Sequence, residues 1–112
     1  MKKTIELFKQ GFESSSTLTT EFSQFFKTFK KEFTAELKKM GCEKIEIGRG
    51  HFYISGFFTA PSGQIYYFSL SDVRSGFEHN SLMYRTAKDY KDYTGGSNQF
   101  TVIESVSEMR LR

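Results

Sequence analysis

Catalysis by a side-chain nucleophile needs a base within hydrogen-bonding reach, and this chain offers few groups for that work. It has one cysteine, Cys42, and two histidines, His51 and His79. Cys42 follows a segment of helical periodicity, at the end where the helix dipole is negative and raises a thiol pKa. That disfavours a reactive thiolate, and a bystander cysteine is the plainer reading. His51 opens a strand-like run, and His79 sits in a loop-like run between Glu78 and Asn80. Neither has a second histidine at HxH or HxxxH spacing, so a metal site would need a loop cluster such as Asp72, Glu78 and His79. Loops often carry such residues without any ligand. The runs "GRG" (48–50) and "TGGSN" (94–98) lack the lysine and helix that make a phosphate loop. Thirteen carboxylates scattered along the chain yield acid pairs by chance alone. The expectation is a protein that is not an enzyme, with no metal and no cofactor.

The residues best suited to contact lie in "YRTAKDYKDYTGG" (84–96), where Tyr84, Arg85, Lys88, Tyr90, Lys91 and Tyr93 precede the pair Gly95 and Gly96. Tyrosine supplies flat contact area and arginine planar, bidentate reach, the combination proteins use to grip partners. Interleaved bases and aromatics also stack on and neutralise a single nucleic-acid strand. Glycines let a backbone approach closely or swing. The structural alternative is plainer. As a strand the stretch puts Tyr84, Thr86 and Lys88 on one side and Arg85 and Ala87 on the other. As a helix from about 86, Tyr90 and Tyr93 share a face. In both cases some tyrosines close the core while the charges stay wet. Both readings stay open.

The elements that position these residues are legible. In "EFSQFFKTFKKEFTAELKKMGC" the residues Phe22, Phe25, Phe26, Phe29, Phe33, Leu37 and Met40 form one apolar helical stripe. Glu21 suits its positive end and Lys38 and Lys39 its negative end, with Gly41 as the left-handed stop. About 20 residues give a rod of about 30 Å, and a sheet is the natural cover for such a stripe. A shorter helix precedes it over 4–13, with Ile5, Phe8 and Phe12 in phase, and "SSSTLTT" (14–20) is a polar connection. "KIEIG" (44–48), "HFYISGFFT" (51–59) and "QIYYFSLS" (64–71) read as strands. Pro61 and Gly63 in "APSG" predict a tight hairpin between the last two. One strand face carries Phe52, Ile54, Gly56 and Phe58 with Tyr66, Phe68 and Leu70, and should meet the phenylalanine helix. The other carries Tyr53, Phe57, Ile65 and Tyr67, more aromatic than water requires, so later segments cover it or it binds something. "SLMYRT" (81–86) is a strand, 87–93 is ambiguous, and "QFTVIESVSEMRLR" fits two templates, Phe100 and Val102 alternating as in a strand and Val102, Val106 and Met109 repeating as on a helix, so that a short strand and then a frayed or helical end is expected. The fold expected is α+β: an N-terminal helix or helix pair packed on one face of an antiparallel sheet of three to five strands.

Composition bounds the rest. One domain, 1–112, fits a chain of this length. Thirteen Phe and six Tyr without Trp, 38% hydrophobic and 26% charged residues are a globular balance. A net charge of +3 permits an acidic partner without demanding one, and disfavours a mimic of DNA. The lone cysteine fits a reducing cytosol and excludes a disulfide framework. No window has the length and apolarity of a signal peptide or membrane span, so a soluble, cytoplasmic protein with no membrane partner is expected. Lys27, Lys30, Lys31, Lys38 and Lys39 line the outer face of the long helix, interrupted only by Glu32 and Glu36. That is a solubilising face or a basic ridge for phosphates.

"SLSDVR" (69–74) followed by "MYRTAKDYKDYTGGSNQF" (83–100) resembles a segment of small proteins from phages, plasmids and integrative conjugative elements of Gram-positive bacteria. The resemblance covers about the last third of the chain and carries over no catalytic residue. It implies a context of handling the element's DNA or blocking host defence, as anti-CRISPR inhibitors do by occluding a nucleic-acid channel or a moving domain. The first expectation is therefore a non-enzymatic counter-defence inhibitor that blocks a host nuclease complex, a protein or nucleoprotein partner. Its contacts would come from Arg85, Lys88, Tyr90, Lys91 and Tyr93, with the strand face at Tyr53 and Tyr67. The second is a nucleic-acid-binding accessory protein using Arg49, Arg74, Arg85, Lys88 and Lys91 against phosphates, with tyrosines on bases. The third is a small enzyme using His51 or His79. An exposed aromatic strand face would serve a homodimer equally well.

Overall fold

The computed structural model describes residues 1–9, 20–48, 54–70 and 81–112. The order is α1 (Lys2–Lys9), α2 (Thr20–Lys39), β1 (Glu43–Gly48), β2 (Ile54–Thr59), β3 (Ile65–Leu70), β4 (Ser81–Ala87), β5 (Gln99–Val102) and a closing 3-10 helix (Ile103–Glu108). The strands form a five-stranded antiparallel sheet in chain order, β1-β2-β3-β4-β5. This is the α+β architecture that the periodicity predicts, with the helices on one face of the sheet.

The stripe on α2 buries as its spacing demands. Phe25, Phe29, Phe33 and Leu37 are fully buried against Ile54, Phe58, Phe68, Leu70 and Leu82. Phe29 and Phe33 stack at 5.1 Å, and Phe33 meets Phe68 edge-on at 4.9 Å. Each such ring contributes about 2–3 kcal/mol by leaving water, which fixes α2 to this face. The helix stops at Gly41, whose φ of 85° only glycine adopts without cost. The Cys42 amide donates to Leu37 O at 2.9 Å and the Gly41 amide to Lys38 O at 3.0 Å. This doubled bonding satisfies the last carbonyls and turns the chain into β1.

The hairpin between β2 and β3 forms at Pro61. Gly63 N–H donates to Ala60 O at 2.8 Å, and Ala60 N–H to Gln64 O at 2.8 Å. The carboxyl end is a short strand followed by a helical segment, as the pattern suggests. The closing segment Ile103–Glu108 is 3-10 in character with a kink at Ser105; it buries Ile103 and Val106, and Met109 is buried just past its end. Val102 belongs to the strand template, and the inward positions of the helical end are Ile103 and Val106. Beyond it, the Arg110 amide donates to the Tyr84 phenol oxygen at 3.1 Å, and the Arg112 amide to that of Tyr66 at 2.8 Å. The last residues thus lie along the helix side of the sheet.

The shorter α1 is held by an acid from α2. Glu32 accepts from the Lys3 amide at 3.1 Å, the Thr4 amide at 2.7 Å and the Thr4 hydroxyl at 2.6 Å. The carboxylate caps the positive end of α1 from outside it, doing at long range what an N-cap side chain does locally. Burial raises the Glu32 pKa, but these hydrogen bonds and the N-terminal ammonium outweigh it and hold the carboxyl below its ordinary value.

Candidate functional site

The second face of the sheet is where the contact residues gather. Register places Phe57, Tyr67 and Arg85 in one row across β2, β3 and β4. Ser55, Ser69, Met83 and Phe100 form the next row, reaching β5. Phe57, Tyr67 and Ala87 are buried and form a second, smaller core with Ile65, Met83 and Tyr90 packed on it. No helix lies over these residues in the described structure. Their cover is the turn that follows β4, residues 88–98.

That turn is built by its own aspartates. Asp92 accepts from the Lys88 amide at 2.9 Å, the Thr94 amide at 3.0 Å and the Thr94 hydroxyl at 3.1 Å. Asp89 accepts from the Lys91 amide at 2.8 Å. Both acids bond two residues ahead, the Asx turn that a short acidic side chain favours. This recurrence in "KDYKDYT" was the missed signal in a segment that reads as ambiguous by periodicity. The backbone amide bonds outweigh desolvation and keep the Asp92 carboxyl below its ordinary value, with the Arg85 charge adding to them.

Arg85 ties the turn down. It is only 5% exposed. Its guanidinium carbon lies 4.5 Å from the centroid of the Tyr67 ring. Nη2 donates to Asp92 O at 3.2 Å and Nη1 more weakly to Thr86 O at 3.4 Å. Gly95 presses on this arginine so closely that a Cβ there would run into Nη1 and Thr86 O, and the Gly96 amide donates to Thr86 O at 3.0 Å. The glycine pair permits close approach, as its composition suggests, but the surface approached is the chain's own β4.

The tyrosines of 84–96 are sorted three ways. Tyr84 is buried on the helix side. Tyr90 is half-buried: its hydroxyl donates to Lys44 O at 2.7 Å and lies 2.7 Å from the Thr59 hydroxyl, which then donates to it. Burial raises its pKa against the Thr59 hydrogen bond, and the Glu46 and Glu43 charges raise it further. Tyr93 is 54% exposed, standing edge-on over Phe57 at 5.6 Å and Tyr67 at 5.8 Å.

Of the residues expected to contact a partner, Lys88, Lys91 and Tyr93 are exposed and Tyr90 offers part of a ring. Arg85 and Tyr67 are corrections to that expectation, because burial and mutual stacking commit them to the fold. Tyr53, Arg49 and Arg74 lie outside the described residues, as do His51 and His79. Cys42 is buried, and burial pushes its thiol up, the direction expected from the helix end though by another cause. Among the described residues, no group of three or more His, Cys, Asp or Glu side chains is placed to hold a metal ion, and no helix is long and apolar enough to cross a membrane.

Two features of this region were not legible. Phe100 is 62% exposed on the same face. Along the other flank, between β1 and the turn, runs a cleft of about 320 Å³ lined by Glu46, Gly48, Phe57, Tyr67, Tyr90 and Tyr93 among others. A second hollow of about 600 Å³ continues from it past Tyr90 and Glu46 towards Lys44 and Gly63. Comparison of the chain with protein-family models, with curated proteins and with solved structures found no match.

Proposed function

We propose that this chain is a binding protein, and that it acts by occupying the surface of a host nuclease complex as counter-defence inhibitors do. The observation that carries the reading is the mounting of Tyr93. An aromatic ring more than half exposed stands on two buried rings, carried by a turn fixed by Arg85 and Asp92. Such a ring loses little freedom on binding, which is what makes an aromatic side chain an anchor. Lys88 and Lys91 are exposed on the same turn, and Phe100 extends the same face. The nuclease complex as partner comes from the resemblance of 69–74 and 83–100 to mobile-element proteins.

The test is gel filtration of the chain with reconstituted RNA-guided nuclease complexes. A stable complex is expected, with Tyr93→Ala weakening it by about 1 kcal/mol or more. A complex indifferent to Tyr93→Ala removes this face from the interface, and failure to bind any such complex removes the inhibitor reading.

A second reading is favoured by one observation, on α2. Glu32 is turned to the start of α1, and Glu36 lies 3.8 Å from the N-terminal ammonium and 3.7 Å from Lys39. The exposed Lys27, Lys30, Lys31 and Lys38 are left as a ridge suited to phosphates. Nucleic-acid binding there weakens steeply with salt, and Lys30→Ala with Lys31→Ala flattens the slope. Salt-insensitive binding, or none, ends that reading.

A further inference from the structure

The strand β1 carries a defect with a chemical result. Its pairing with β2 begins at Glu43 opposite Thr59 and resumes at Glu46 opposite Phe57. Regular antiparallel pairing from Glu43 would set Glu46 opposite Gly56, on the helix side. The extra residue is accommodated at Lys44, whose φ of 53° is left-handed, a conformation that costs a non-glycine residue free energy. The Tyr90 hydroxyl, donating to Lys44 O, fastens this bulge. Its effect is to move Glu46 to the aromatic face, beside Phe57. Bulges recur where a side chain must be re-aimed. Here the side chain is a carboxylate, and its new surroundings are the π-systems of Phe57, Tyr67, Tyr90 and Tyr93 around the 320 Å³ cleft.

Aromatic faces and an exposed carboxylate share one preference, for a cation. Phe57 forms the floor, with Tyr90 at 5.5 Å and Tyr93 at 5.6 Å packed against it. Glu46 and Glu43 both act on the Tyr90 phenol as negative charges. Arg85 on Tyr67 shows that these rings already hold a guanidinium. Its own charge is largely enclosed, facing Asp92 and two carbonyls. A planar guanidinium suits flat rings and a carboxylate better than a compact, strongly hydrated ammonium does.

We propose that the cleft between β1 and the turn after β4 receives an arginine side chain of the protein partner, its guanidinium laid against the exposed parts of the Tyr90 and Tyr93 rings with Glu46 as its counter-charge. This deepens the reading of the chain as a protein-binding module and rests on it for the identity of the ligand's carrier.

The probe is N-acetyl-arginine amide, titrated at low salt to its solubility limit into the isotope-labelled chain. N-acetyl-citrulline amide serves as the uncharged isostere, and N-acetyl-lysine amide as the second cation. Arginine is expected to shift the Gly48 and Gly56 amides and the Phe57 and Tyr93 ring signals, lysine to bind more weakly, and citrulline to leave them in place. Glu46→Gln changes an exposed side chain, keeps the fold, and is expected to weaken arginine binding about fivefold. Equal shifts with citrulline, no effect of Glu46→Gln, or no shifts with arginine would overturn the proposal, while lysine binding as tightly as arginine would overturn the preference for a guanidinium. The two readings fail separately. A nuclease complex weakened by Tyr93→Ala but untouched by Glu46→Gln removes the arginine site and keeps the binding module. Arginine binding at the cleft without any nuclease complex keeps the site and removes the inhibitor.

Discussion

The two faces of the sheet are closed by different physics. On the helix side, phenylalanines from α2 interlock with Ile54, Phe58, Phe68 and Leu82, and each of these side chains is fully buried. On the other side the buried hydrophobic cluster is only Phe57, Tyr67 and Ala87, lying under a turn, and what holds that turn is polar: a guanidinium on a ring, two aspartates on backbone amides, a phenol on the carbonyl of a bulged residue. Apolar packing makes a face permanent and featureless to a partner. A polar-pinned turn closes the same area while leaving a ring, a carboxylate and a cleft at its edge. The lesson is that the covering with less apolar area is the one able to offer recognition.

Substitutions can break that contrast. The largest effect is expected from Phe33→Ala, at the centre of the helix side: about 3–5 kcal/mol of stability lost in urea unfolding, with the whole domain destabilised together. Next is Arg85→Met, which keeps much of the buried volume while removing the charge, its stacking and its hydrogen bonds. A loss of about 1–3 kcal/mol is expected, accompanied by faster amide exchange at Lys88, Thr94 and Gly96 but not in α2. Uniform exchange through both faces would show that the turn is not a separate closure.

Glu32→Gln should cost about 1 kcal/mol, because a neutral amide replaces the charged cap of α1, and the loss should appear first in α1 amides. Acid offers the same test without mutation. Glu32 and Asp92 both have carboxyl pKa values lowered in the folded state. Their contribution is complete above the unfolded value of about 4 and is lost as pH falls through the folded values. The Lys88 and Thr94 amides should lose protection on acidification before the α2 core does, and Asp92→Asn should remove that pH dependence from the turn. The smallest stability effect is reserved for Tyr93→Ala, within about 0.5–1 kcal/mol by thermal unfolding. A larger loss would make that ring a structural lid rather than an anchor.

Most of the fold could be read from local pattern. The phenylalanine stripe, the stop at Gly41, the hairpin at Pro61 and the alternation of β2 and β3 depend on periodicity and on conformations that single residues favour. The aspartates at 89 and 92 carried a local turn signal too, though one that periodicity passes over. The site was less legible. Tyr84, Tyr90 and Tyr93 are the same residue type within ten positions, yet one enters the helix-side core, one pins β1 and one faces solvent.

Residue types and spacing alone determined that a phenylalanine helix would cover one face of an aromatic antiparallel sheet, and that tyrosines and cations would gather after β4. Only the tertiary structure decided which of them remain available. Arg85 is spent on Tyr67, Glu32 on α1, and Glu46 is carried to the aromatic face by a bulge whose fastening residue lies 46 positions away. Periodicity reports the face a residue would take in a regular element. Long-range partners decide where an element departs from regularity and which charges are already satisfied.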